Sequence, residues 1–83
     1  MDDLEKRVRT IVVERLMLPV APEALGVGED LADRYGVDSV RLFDLVVGLE
    51  EDFGISFEDQ ELKLANFATL GDIVARLREK NAR

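Results

Sequence analysis

Apolar residues recur every three to four positions in three separate stretches of this chain, and nowhere do they alternate long enough to build a paired strand. Leu4, Val8, Ile11, Val12 and Leu16 form the first stripe and predict an amphipathic helix over residues 3–17. Leu18-Pro19 ends it, because a residue preceding proline is pushed out of the α region. Leu42, Phe43, Leu45, Val46, Leu49 and Phe53 predict a second helix over 39–52, with Asp38 as N-cap and Gly54 as stop. Gly48 inside it costs about 1 kcal/mol relative to alanine, which points to close packing or spare volume beside it. Leu70, Ile73, Val74 and Leu77 predict a third over 69–80, begun by Thr69 with Asp72 as a capping box. Residues 80–83 are expected to fray.

Between the first two stripes, Pro19 to Asp38 carries two prolines and three glycines among scattered apolar residues (Val20, Leu25, Val27, Leu31, Tyr35, Val37). A loop this long is uncommon in a small domain, and its spaced apolar residues favour one packed through its own side chains. Ile55-Ser56-Phe57 alternates but is too short to pair, so it reads as extended loop with two core anchors. A short helix is expected over 59–65, closing on Leu62 and Phe67. The predicted fold is all-α: a small four-helix bundle of three main helices and a short one, with one long crossover loop. All 83 residues are expected to form one domain, and a chain of that size buries about 60–65% of its unfolded surface.

The net charge of −7 is unevenly spread. Eight of eleven basic residues lie near the ends, while residues 20–72 hold thirteen acids against Arg34, Arg41 and Lys63. Such a middle section repels nucleic acid and anionic lipid and steers toward basic protein surfaces, although a solvated face without a partner has the same composition. No apolar run reaches the ~20 residues of a membrane span. The acidic start Met1-Asp2-Asp3-Leu4-Glu5 is unlike a secretory signal, and the chain has no cysteine, so a cytoplasmic protein is expected; a monomer is expected as well. A calcium loop counted from Glu50 to Glu61 fails, since its sixth position, which needs glycine for the tight turn, is Ile55. No metal site is expected.

The chemistry concentrates at Asp38-Ser39, where the crossover enters the second main helix. As structure alone, Asp38 caps and Ser39 is a tolerated first-turn residue. A serine nucleophile needs a base; the chain has no histidine, and Lys6, Lys63 and Lys80 fall on predicted exposed faces. No catalytic residue is assigned, and an enzyme is not expected. A helix N-terminus tolerates a phosphate by about 0.3–1 kcal/mol, but Asp38 opposes one with its own charge. The pair therefore suits a handle better than a phosphate pocket: another protein reads Asp38 while modifying Ser39.

"EDLADRYGVDSVRLFDLVVGLEEDFGISF" (residues 29–57) resembles the acyl carrier proteins of fatty-acid and polyketide synthesis, most closely in Gly36-x-Asp38-Ser39-Val40. "ATLGDIVARL" (68–77) falls where that family has its last helix. The resemblance implies a phosphoprotein in which 4′-phosphopantetheine is esterified to Ser39 by a separate phosphopantetheinyl transferase. The arm's thiol then carries acyl groups as thioesters, which also accounts for the missing cysteine. It further implies docking on acyl-transferring and condensing enzymes with basic patches, through Asp38, Val40, Arg41, Asp44, Glu50 and Glu51. Core packing is the alternative for Val40, and plain solubility for Glu50 and Glu51. Arg41 departs from the acid typical there, pointing to a pathway-specific carrier. An aminoacyl or D-alanyl carrier, or an acidic interaction module without a prosthetic group, are the other readings of the same residues.

Overall fold

The computed structural model describes residues 3–80. Four α-helices follow in order: α1 (Asp3–Leu16), α2 (Leu31–Tyr35), α3 (Ser39–Phe53) and α4 (Leu70–Glu79). Helices α1 and α3 pack together, α4 closes against α1, and α2 rides in the crossover. The inward faces meet in one core, in which Val8, Val12, Leu16, Leu31, Leu45, Leu49, Leu70, Ile73 and Leu77 lose all contact with solvent. Among the described residues there is no strand, and no helix is long and apolar enough to cross a membrane.

Helix α1 stops before proline can act. Met17 adopts a left-handed backbone (φ 52°), and the Leu18 N–H donates to the Val13 carbonyl at 3.0 Å, a Schellman-type closure. The 3–17 expectation is thus one residue long.

The crossover contains structure that periodicity did not show. Pro22–Ala24 forms a 3-10 turn, and Asp30 caps the five-residue α2 by accepting from the Asp33 N–H at 3.0 Å. Gly36 ends α2 at φ 68°, a conformation a Cβ disfavours. Five residues span barely more than one turn, too short for a stripe to register. Arg9, only 6% exposed, fastens the crossover to α1: its guanidinium donates to the carbonyls of Pro22 (3.1 Å) and Leu25 and pairs with Glu5 at 3.3 Å. The Leu31 N–H donates to the Ala68 carbonyl at 2.8 Å, and the Gly71 N–H to that of Val27 at 3.0 Å, tying the crossover to the start of α4.

The short helix expected over 59–65 is instead two 3-10 turns, Asp59–Glu61 and Leu64–Asn66, with Lys63 extended between them (φ −113°, ψ 141°). The reason is register. Leu62 and Phe67 both face the core, yet five positions of α-helix would set them about 140° apart. The segment is held at its ends, where the Phe57 and Phe67 rings meet edge-to-face at 5.3 Å. Lys80 is not frayed: its ammonium pairs with Glu61 at 2.7 Å and lies 5.2 Å from the Phe57 ring. The fraying expected beyond it falls outside the described residues.

Gly48 marks close packing. A Cβ there would come within 2.6 Å of the Arg15 side chain, which crosses α3 to reach Glu51 at 3.7 Å.

Candidate functional site

Ser39 is the first residue of α3, and its presentation follows from its neighbours. Val37, 3% exposed, anchors the chain before it, and Leu42, 5% exposed, anchors the first turn after it. Asp38 is extended (φ −95°, ψ 178°), and its Oδ1 accepts from the Arg41 N–H at 2.9 Å. The backbone therefore bends sharply into α3 between two buried anchors, leaving Asp38, Ser39 and Val40 exposed. A serine sealed in the interior would be out of any enzyme's reach; this one is not.

The outer face of α3 is apolar, and it includes one residue, Phe43, that the sequence stripe had placed in the core. Val40 is 72% exposed, Phe43 56% and Val47 38%. Val40 is thus a surface residue, and Phe43, expected inside, is not buried. The helix carries adjacent apolar pairs, Leu42-Phe43 and Val46-Val47. At 100° per residue only one member of each can face the core. That doubling was the sequence signal for an exposed stripe. Asp44 and Glu51 are exposed near it, one and three turns from Val40.

The other two residues of the expected docking set are otherwise engaged. Arg41, half-buried, donates through its guanidinium to the Leu16 carbonyl at the end of α1. Glu50, also half-buried, accepts the Phe57 N–H at 2.8 Å and so fixes the turn after α3. The structure brings Asp38, Ser39, Val40, Asp44 and Glu51 to the surface and ties Arg41 and Glu50 into the scaffold.

Two depressions adjoin Ser39. The first lies between α3 and residues 62–67, walled by Leu42, Phe43, Val46, Leu62, Leu64 and Phe67, with Lys63 in its lining. At about 120 Å³ it is well below the ~300–1,000 Å³ of pockets that enclose a ligand. The second runs toward α2 and includes Asp30, Asp33 and Asp38. Leu64, 57% exposed, lines both. Sequence reasoning missed Phe43, Lys63 and Leu64, since nothing local showed that residues 62–67 fold back beside the serine. Below them, the Glu61 carboxyl is held under its ordinary value of 4.5, first by the hydrogen bond from Lys80 and then by the Glu58 N–H, which outweigh a small desolvation effect.

A hydroxyl offered at a helix start, in a chain with no histidine to activate it, is suited to receiving a group. The model of the family described as "Phosphopantetheine attachment site" matches residues 6–77. An acyl carrier protein of Rhodopseudomonas palustris (strain BisB18) is 37% identical over 83 residues, covering 100% of this chain and 99% of that one. An acyl carrier protein of Campylobacter hominis is 34% identical over 76 residues, covering 92% and 91%. The solution structure of a holo acyl carrier protein from Nitrosomonas europaea superposes with a TM-score of 0.80 at 29% identity, covering 98% of each chain. With a family match running from α1 to the end of the α4 stripe, this chain belongs to the phosphopantetheine-attachment family.

Proposed function

We propose that the chain is an acyl carrier modified at Ser39, and the observation that carries this is the exposed hydroxyl between Asp38 and Val40 at the start of α3. Members of this family are carriers rather than enzymes, and the group they take is 4′-phosphopantetheine. The residues fit it. Ser39 is accessible, the first depression beside it has apolar walls that can meet the arm's methyl and methylene groups, and its lining includes one cation. In the attachment step the serine oxygen bonds to the pantetheine phosphorus of coenzyme A, and the pyrophosphate P–O bond breaks. The adenosine bisphosphate half leaves with the electron pair, and the transferase takes the hydroxyl proton. When bound, the arm supplies the thiol that holds acyl intermediates as thioesters.

Docking falls to the exposed face of α3. Val40, Phe43 and Val47 give an apolar strip, and Asp38, Asp44 and Glu51 give it an acidic border that favours partners with basic patches. These partners are the acyl-transferring and condensing enzymes of fatty-acid, polyketide or specialised lipid synthesis.

Incubation with coenzyme A and a broad-specificity phosphopantetheinyl transferase tests the reading. The expected result is a mass gain of one phosphopantetheine that Ser39→Ala abolishes. No gain with several transferases overturns it and leaves an acidic interaction module.

A further inference from the structure

Ser39 lines both depressions, so a group attached there has two courses open to it. They differ in charge. The course toward α2 meets Asp30, Asp33 and Asp38, and two of these carboxylates are already fixed by accepting N–H groups, Asp30 from Asp33 and Asp38 from Arg41. The course toward residues 62–67 meets Lys63, the one basic side chain lining either depression among the described residues. Arg41 is committed to the Leu16 carbonyl and Arg34 to Glu29 at 3.0 Å. Lys63 has no ion-pair partner among the described residues.

A phosphodiester carries a negative charge at neutral pH, and it is the part of the arm nearest the serine. We infer that Lys63 pairs with this phosphodiester and is a positioning residue. It steers the arm over Leu64 into the depression between α3 and residues 62–67, while the acids of the α2 side repel the phosphodiester from the other course, which is the roomier at about 600 Å³. The backbone is extended at Lys63, between two 3-10 turns, and Lys63 shares the lining of this depression with Ser39. Apolar walls from Leu42, Phe43 and Leu64 then meet the pantetheine methylenes beyond the phosphate. The inference rests on attachment at Ser39.

The test compares amide and phosphorus NMR spectra of the apo and holo forms of the wild type, Lys63→Gln and Lys63→Glu, with mass spectrometry of each sample. In the wild type, apo-to-holo changes should extend from Ser39 to Leu62, Lys63, Leu64 and Phe43 and spare Asp30, Ala32 and Asp33. Lys63→Glu should reduce the changes at residues 62–64 by roughly two-fold, the size expected of an exposed ion pair, and shift the phosphorus resonance. Lys63→Gln should fall between, and added salt should shrink the wild-type effect. Changes directed at α2, or a pattern identical in all three proteins, overturn the inference while attachment stands. A sample that gains no mass overturns attachment, and the inference with it.

Discussion

Three arginines show what residue identity does in so small a fold. Arg9 looks in sequence like one of the basic residues clustered at the ends, yet it is the buried polar side chain that fastens the crossover. Replacing it by methionine keeps the apolar stem but takes the guanidinium from the Leu25 carbonyl, while the Pro22 carbonyl keeps the Leu25 N–H at 3.3 Å. Urea unfolding of Arg9→Met should show a loss of about 1–3 kcal/mol, with lysine recovering only part of it because a compact ammonium lacks the planar fork that spans the two carbonyls and Glu5. Arg41 was expected on the docking surface. Its guanidinium instead satisfies a carbonyl at the negative end of α1, so the charge stabilises the scaffold. Arg41→Met should cost about 1 kcal/mol, and Arg41→Glu somewhat more, because a carboxylate there faces the partial negative charge of the helix end. Any gain in turnover of Arg41→Glu with fatty-acid-synthesis partners has to be read after correction for this loss. Arg15 crossing Gly48 completes the set: the glycine was legible as an anomaly, but its cause lay on another helix.

At the scale of elements, legibility followed length. The stripes of α1, α3 and α4 span several turns each, so three-to-four spacing identified them, and the Asp38 and Thr69 caps accept the N–H groups that a helix start leaves unpaired. Helix α2 and the 57–67 segment escaped because their order comes from tertiary partners: Leu31 in the core, Arg9 on the carbonyls, Glu50 on the Phe57 N–H, Lys80 on Glu61. The candidate site divided in the same way. Asp38 and Ser39 were visible as a cap and a first-turn residue, whereas the Lys63–Leu64 wall depends on how a non-helical segment folds back. That segment has a pH signature. Because the folded Glu61 pKa is depressed, its stabilisation is complete above the unfolded value near 4.5 and is lost as pH falls through the lower folded value. Lys80→Met should therefore lower Tm most near neutral pH, and the difference from wild type should narrow on acidification below about pH 4.5. The remainder at low pH reports the lost contact with the Phe57 ring. A difference independent of pH would show that the ion pair contributes nothing.

For the molecule as a whole, charge and size set the last constraint. A net charge of −7 goes with a body whose longest extent is 28 Å, about three Debye lengths at ~0.1 M salt, so acids on one face repel while those on opposite sides are screened from one another. Some of the acids in the 50–61 stretch are compensated locally: Glu50 by a backbone N–H, Glu51 by Arg15, Glu61 by Lys80. Asp38 and Asp44 remain exposed on the proposed docking face, and Asp59 is exposed as well. The acids of the proposed docking face therefore repel one another in the free protein, and the fold is weakened by the feature proposed to serve recognition. Screening should reveal the conflict. Added sodium chloride should raise Tm, and magnesium at matched ionic strength should raise it further, because a divalent ion neutralises neighbouring carboxylates more effectively. Relief of about 1 kcal/mol corresponds to roughly 4–8 °C in a domain of this size. The same salt should slow association with a basic partner, so stability and on-rate should move in opposite directions across one titration. Melting and stopped-flow binding measured in parallel check this; a Tm indifferent to both salts would show that the acids are too well separated to repel.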